Sequence, residues 1–368
     1  MRINSEDKIC ILRSAFLGDW ISTIPFLIYL TEECCIPVEN IYIIIINNSG
    51  FNPIEKVLGP MSLYTKNSFV VNSLTFKTTF KSALLVRKNI YNKVNRLIYL
   101  PFTYENRASI LKKYILSFFL SKFNIKKNGF IFFNKFKLIS SSQYFSFFQK
   151  LGLEFDLNKI SVKSFLEKES IHFSKKPIDV DKVRIAVYPN SKLKMKIWPI
   201  ENYIKVLETL YNKYNAVFYL IGSAEDYHYN QLLIDNLNKK INIQNIAGVL
   251  DISSTITFLS NVDLLLTNDG APVHMGSLVN TPIVGLYTYK EPIGSWDPIL
   301  SEKYIIIRTE VLCKNCFRDN CLNPVCLKYI PTSIVVNACE DILDGKINGR
   351  ENKILIPKSP LSFKSINN

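Results

Sequence analysis

An α/β protein of two doubly wound parallel sheets facing a shared cleft is the fold class this sequence predicts, on three observations. Strand-like and helix-like runs alternate along the chain, the pattern of β-α-β units with helices on both faces of a sheet. The alternation comes in two series, separated by a polar, weakly periodic stretch over residues 155–182. And 368 residues suffice for two domains that each bury their own core. Apolar residues at 48% against 21% charged give a globular balance, not a disordered one.

The first series opens with "KICILRS", continues through the helical run "WISTIPFLIYLTEE", and returns in "NIYIIII", which has the composition of a buried strand. "SALLVRK" (82–88) and "NRLIYL" (95–100) have strand character. "YENRASILKKYILSFFLSKF" and "SSQYFSFFQKLGL" carry helical spacing, the latter ending at Gly152. In the second series "RIAVYPN", "AVFYLIGS", "LLLTND" and "TPIVGLY" are the strands. "IENYIKVLETLYNKY", "SSTITFLSNV" and "APVHMGSLV" are the helices between them. The expected organisation is a Rossmann-like domain over 1–160, a linker over 161–182 and a second Rossmann-like domain over 183–345. A C-terminal tail over 346–368 is expected to fold back on the first domain.

The net charge of +14 is uneven: 21 Lys and Arg face 10 Asp and Glu in residues 1–160, but 24 face 21 in residues 161–368. The basic half contains the aromatic-rich "YILSFFLSKFNIKKNGFIFFNKFK" (114–137), which suits an anionic membrane surface, an acidic lipid-linked partner or a nucleic acid. It equally suits an ordinary core in a Lys-, Asn- and Ile-rich chain. No recognised nucleic-acid motif is present, so no nucleic-acid partner is expected. No run reaches the ~18 uninterrupted apolar residues of a membrane span. Glu6, Asp7, Arg13 and Asp19 spoil a signal peptide, so the expectation is a cytoplasmic protein. Four of the eight cysteines, Cys313, Cys316, Cys321 and Cys326, form "CKNCFRDNCLNPVC". Closely spaced thiolates can bind one metal, but this spacing matches no strong zinc pattern and reads first as reduced thiols in a surface loop. "DVD", Asp179 to Asp181, precedes a strand and follows polar "SKKP"; it is taken as solvated linker and not as a metal motif.

Ligands of doubly wound sheets sit outside the carboxyl ends of the strands, so the residues just after each strand carry the information. In "FLGDWISTIP", Gly18 permits a tight turn and Asp19 falls near the start of a helix, as a plain cap or as a functional carboxylate. In "VYPNSKLKMKIWP", Asn190 and Ser191 follow a strand and Lys192, Lys194 and Lys196 crowd the loop, a donor set suited to a diphosphate. In "IGSAEDY", Gly222 allows close backbone approach and Glu225 and Asp226 can accept from a ribose or a base, although Gly-Ser-x-Glu also makes an ordinary helix cap. In "TNDGAPVHMGSLVNTP", Asp269 ends a strand, Gly270 and Ala271 keep the turn small, and Pro272 opens a helix. His274 lies in its first turn, at a helix N-terminus suited to phosphate.

Taken in order, these segments and the late "CKNC…C…CLKYI" resemble glycosyltransferase family 9, the heptosyltransferase family of lipopolysaccharide assembly. The resemblance implies the two-domain GT-B architecture and catalysis without a metal or other cofactor. It implies a lipid-linked saccharide acceptor in the first domain and a nucleotide-sugar donor, foremost ADP-heptose, in the second. Asp19 then matches the family's general base, and Ser191 and Lys196 match contacts to the donor diphosphate. Glu225 is close to a ribose-binding carboxylate. Asp269, Gly270, Ala271 and His274 match the phosphate-binding turn D-[ST]-G-x-x-H. Asn190 and Gly222 complete the candidate donor contacts, and Gly18, Arg107 and Lys112 are the candidate acceptor contacts. The sequence departs from the family where Gly270 replaces a hydroxyl residue and Ala271 replaces a glycine. The implied reaction is a single inverting displacement, with peripheral contact at the cytoplasmic face of the inner membrane. Rival readings are a GT-B transferase using a hexose or N-acetylhexosamine donor, and a non-catalytic glycan- or nucleic-acid-binding protein.

Overall fold

β1 (Ile9–Ser14) is the centre of the first of two parallel sheets. The computed structural model describes residues 3–14, 17–21, 23–47, 51–72, 84, 93–100, 130–131 and 161–169, and residues 182–355 apart from 239, 295, 315, 317 and 348. The chain divides into two units, Met1–Ile139 with Gln143–His172, and Ser140–Ser142 with Phe173–Asn368.

In the first unit β1 is joined by β2 (Ile41–Asn47), β3 (Ser68–Asn72), β4 (Arg96–Leu100) and β5 (Phe130–Ile131), in the order β3-β2-β1-β4-β5. All pairings are parallel, with Ile9 opposite both Ile41 and Arg96. Ile9, Cys10, Ile11 and Leu12 are fully buried, as are Ile43, Ile44 and Ile45, which is why both strands read as unbroken apolar runs. Strand order reverses between β1 and β4, so the switch point of this sheet lies at the carboxyl end of β1.

Several expectations are corrected in this unit. The single helix over "WISTIPFLIYLTEE" is instead two short helices, Leu17–Ile21 and Ile24–Ile28, the second running on as a π-turn over Tyr29–Glu33. Pro25 lacks an N–H and disfavours helical backbone before it, so the helix restarts with proline in its first turn. Leu84, the described residue of the expected strand 82–88, is helical and exposed. The expected linker over 161–182 begins instead with the helix Val162–Lys168, capped by Ser161. It belongs to the first unit: Phe165 and Leu166 are buried, the Phe165 ring lies 5.6 Å from that of Tyr64, and Lys168 bonds Glu32 at 3.0 Å. Burial of two apolar side chains, at roughly 1.5–3 kcal/mol each, holds the segment against the unit.

The second unit is built on β6 (Arg184–Tyr188), β7 (Val217–Leu220), β8 (Ile243–Asn245), β9 (Leu264–Asn268), β10 (Ile283–Leu286), β11 (Tyr304–Thr309) and β12 (Arg350–Leu355). Their order is β12-β11-β10-β9-β6-β7-β8, all parallel. β9, β10 and β11 are buried along their whole length, as central strands covered on both faces must be. Helix Ile200–Tyr214 buries Tyr203, Val206, Leu207 and Leu210, and helix Thr332–Leu343 buries Val335, Ala338, Cys339 and Ile342. Both sets follow helical spacing and join one core with Ile185, Leu266, Val284 and Ile305. The switch point falls between β6 and β9.

The described part of the tail expected over 346–368 is also corrected, because β12 pairs with β11 from Tyr304–Arg350 to Thr309–Leu355 and extends the second sheet, while 356–368 lie outside the described residues. A buried polar triad ties it there. Arg308, 2% exposed, donates to Asp297 at 3.2 Å and to Asn352, and Asn352 donates to Asp297 at 2.7 Å. Asn352→Ala removes a partner of both buried charges and is expected to destabilise the fold by about 1–3 kcal/mol in urea unfolding. Unchanged stability would mean that β12 does not hold this place in solution.

Candidate functional site

The carboxyl ends of β6, β7 and β9 carry the residues that the sequence singled out in this unit. After β6 the chain runs through Pro189 to Asn190 and Ser191, then into a single 3-10 turn, Lys194–Lys196. Met195 and Trp198 are buried and anchor that turn on the sheet, which aims Lys196 back across the strand ends. After β9 come Asp269 and Gly270, and then the helix Ala271–Leu278, opened by Pro272.

Lys196 Nζ donates to Asp269 Oδ2 at 2.5 Å, with side chains only 12% and 10% exposed. Burial works against the Lys196 ammonium, but Asp269 and then Glu291 outweigh it, so its pKa lies above that of free lysine. Burial likewise pushes the Asp269 carboxyl up, while Lys196, and more weakly His274 and Arg308, pull it below the ordinary value. Asp269 and Lys196 are therefore both charged at neutral pH. His274 lies in the helix, its ring 5.9 Å from that of Trp296 in an edge-on arrangement.

The surrounding loops are fixed by hydrogen bonds. Asn190 Nδ2 donates to Asp226 Oδ1 at 2.5 Å, and its Oδ1 accepts from Ser191 N at 2.8 Å. Ser191 Oγ accepts from Leu193 N at 3.4 Å. Asp226 also accepts from the backbone N and Oγ of Ser223 at 2.7 and 2.8 Å, closing a capping box. Gly222 has φ +152°, and a Cβ there would lie 2.7 Å from Asp226 Oδ2. The capping carboxylate therefore admits only glycine at 222. Glu225 is exposed in the turn Ala224–Asp226, and the buried acid of "AED" is its neighbour.

Sequence reasoning passed over two residues of this region, Asn268 and Glu291. Asn268, fully buried at the end of β9, donates to Asn190 O at 3.3 Å and accepts from Tyr203 Oη at 2.9 Å and Trp198 N at 3.4 Å. Glu291, beyond β10, is the second, while Asp226, read from the sequence as an acceptor for a ribose or a base, is instead held as the cap of its own turn. The signal for Asn268 was an amide ending an all-apolar strand. Glu291 had no local signal.

In the first unit Gly18 lies inside the helix Leu17–Ile21 and not in a turn before it, and Asp19 lies in the first turn of that helix, near its start as expected. That helix follows the carboxyl end of β1, and Trp20 and Ile21 are buried beneath it. Arg107, Lys112 and Asp179 to Asp181 lie outside the described residues, as does 114–137 apart from β5. Cys313, Cys316, Cys321 and Cys326 are free thiols, and Cys313 and Cys326 join a small apolar cluster with Tyr289, Val311 and Val325. Burial pushes the Cys326 thiol up to about 11. Among the described residues no three His, Cys, Asp or Glu side chains are grouped to hold a metal ion. No helix among them is long and apolar enough to cross a membrane.

The sequence model of glycosyltransferase family 9 (heptosyltransferase) matches residues 128–326, more than half of the chain and nearly all of the strand-end loops described above. The chain belongs to glycosyltransferase family 9. It is 31% identical over 115 residues to lipooligosaccharide heptosyltransferase 2 of Haemophilus influenzae, a stretch covering 31% of this chain and 32% of that protein. The match thus spans about a third of that relative's length. Among solved structures, a glycosyltransferase family 9 protein of Veillonella parvula superposes with a TM-score of 0.66 at 17% identity, covering 94% of this chain and 99% of that one. The ADP-heptose lipopolysaccharide heptosyltransferase II of Escherichia coli superposes with a TM-score of 0.60 at 16% identity, covering 92% and 99%. These likenesses establish the GT-B fold for this family 9 member.

Two predictions come from the geometry. Lys196→Met leaves the buried Asp269 unpaired and is expected to destabilise the protein by about 3–5 kcal/mol at pH 7. In the native protein the depressed Asp269 carboxyl stabilises the fold above the ordinary carboxylate pKa, and that contribution fades as pH falls through its own, lower value. In the variant Asp269 is a liability while charged, so the gap between the two proteins must narrow from pH 7 to about pH 4. A constant gap in urea unfolding would remove the charge argument. At Gly270 the backbone is extended, with φ −174°, and a Cβ would lie 3.4 Å from Tyr188 Cε1 and 3.7 Å from Pro272 Cδ. Gly270→Ser, which restores the family hydroxyl, should therefore change stability by less than about 0.5 kcal/mol. A larger loss would show that the turn cannot take a side chain.

Proposed function

We propose that the protein transfers a heptose from ADP-heptose onto a lipid-linked saccharide of the lipopolysaccharide core, by a single inverting displacement without a metal ion. The observation that carries this reading is the buried Lys196–Asp269 pair beside the N-terminus of helix Ala271–Leu278, at the switch point of the second sheet. An ammonium and the positive end of a helix at that place suit a nucleoside diphosphate, the leaving group of the reaction. The name of the Escherichia coli relative supports ADP-heptose as donor.

Chemically, the acceptor hydroxyl oxygen attacks the anomeric carbon while the bond to the diphosphate oxygen breaks, the electron pair leaving with the diphosphate. Asp19 takes the hydroxyl proton, and an ordinary carboxylate suffices because that proton becomes acidic only as the bond forms. Its place just beyond β1, at the switch point of the first sheet, supports this role. Lys196, Ser191 and the start of helix Ala271–Leu278 take up the charge that develops on the diphosphate. A hexose or N-acetylhexosamine donor is the second reading. The observation favouring it is the pair Gly270 and Ala271, which departs from the family pattern at a donor contact.

The test is a thermal-shift screen of ADP-, UDP- and GDP-linked sugars, in which a ligand of the folded state raises the melting temperature. ADP-heptose should give the largest shift, and a larger one from a UDP- or GDP-sugar would overturn the donor assignment. Asp19→Ala should then lower turnover by about 10²–10⁴-fold while leaving donor affinity unchanged. Near-normal transfer by that variant would make Asp19 a cap and not a base.

A further inference from the structure

Glu291 stands five residues beyond the end of β10, the neighbour of β9 in the sheet, and faces the donor loops without having a complete set of partners of its own. Its Oε1 lies 3.4 Å from Lys290 Nζ, but that ammonium makes its short bond, 2.5 Å, to Asp319. The other oxygen, Oε2, is buried with no hydrogen-bond partner. Glu291 is close enough to both Lys196 and Asp269 to act on their charges, and burial pushes its own carboxyl above the ordinary range despite Lys196. Lys196 makes its direct bond to Asp269, not to Glu291.

A buried carboxylate oxygen without a donor is unfavourable in an apolar protein interior, and such groups in folded proteins nearly always have a partner. No described protein group fills that position. As a carboxylate, Glu291 can take only a hydrogen-bond donor at Oε2, which the oxygens of a charged diphosphate are not. What lies next to a diphosphate in a nucleotide sugar is a ring carrying several hydroxyls. We propose that Glu291 is a specificity-determining residue of the donor site, whose Oε2 accepts a hydrogen bond from a hydroxyl of the transferred sugar. The assignment rests on the donor-site reading given above and extends it from the diphosphate to the sugar.

The assignment separates two ligands that share a diphosphate. ADP presents no sugar beyond the phosphates, whereas ADP-heptose does. By titration calorimetry on the full chain, Glu291→Gln should bind ADP as the native protein does and ADP-heptose about ten-fold more weakly, the scale of one hydrogen bond to a charged acceptor. Equal weakening of both ligands would place Glu291 behind Lys196 and overturn the proposal, as would unchanged binding of both. Native protein that binds neither ADP nor ADP-heptose would defeat the donor-site reading itself. Should Glu291→Gln not fold, a series of single-deoxy ADP-heptoses on native protein decides the matter. One position should cost about ten-fold, and a series with no sensitive position overturns the proposal.

Discussion

The second unit is organised around one buried ion pair, Lys196 with Asp269. Two charges brought out of water at the end of a parallel sheet are costly unless each neutralises the other. The 2.5 Å contact does this, with both side chains almost fully covered. The rest of the site is arranged to make that contact inescapable. Met195 and Trp198 anchor the lysine's turn from one side, and the all-buried β9 delivers the aspartate from the other. Such a pair adds little net charge to an empty site, yet it keeps an ammonium oriented where an anion would need it. Orientation in advance is the main electrostatic advantage a protein has over water.

Around the pair lies a layer of polar groups whose work is positional. Asn268 ties the end of β9 to the loop after β6 and to helix Ile200–Tyr214, and Asn190 with Asp226 ties that loop to the turn after β7. Three strand ends are thereby held in one network of buried or half-buried amides and carboxylates. A network of this kind is rigid when every member is satisfied. Glu291 Oε2, close to Lys196 and Asp269 and without a hydrogen-bond partner, stands outside this network. The triad of Arg308, Asp297 and Asn352 does the same positional work further along the sheet, where it fastens the last strand.

The site was legible where its chemistry is local. Asp269 and the small residues after it stand at the end of an apolar run, and the lysine-rich loop follows a strand, so both could be named from neighbours in the chain. Position 225 shows the limit. "AED" offers two acids, and only the fold reveals that Asp226 is turned inward as a cap while Glu225 faces solvent. Asn190 was legible as a residue of the site, but its amide is bound to Asp226, 36 positions away. Glu291 lies in "TYKEP", a string with no distinguishing pattern. Only burial and the charges of Lys196 and Asp269 set it apart.

By itself the sequence determined the two α/β series, the strands 9–14, 41–47, 96–100 and 184–188, and the helix 200–214, because apolar periodicity is written in adjacent residues. Tertiary structure decided what depends on partners distant in the chain. A polar segment around 162–168 became a helix of the first unit because Phe165 found Tyr64. A stretch with the look of a tail became β12 because β11 offered an open edge and Arg308 a partner. Lys196 and Asp269 stand 73 positions apart in the chain and become one ion pair only in the fold.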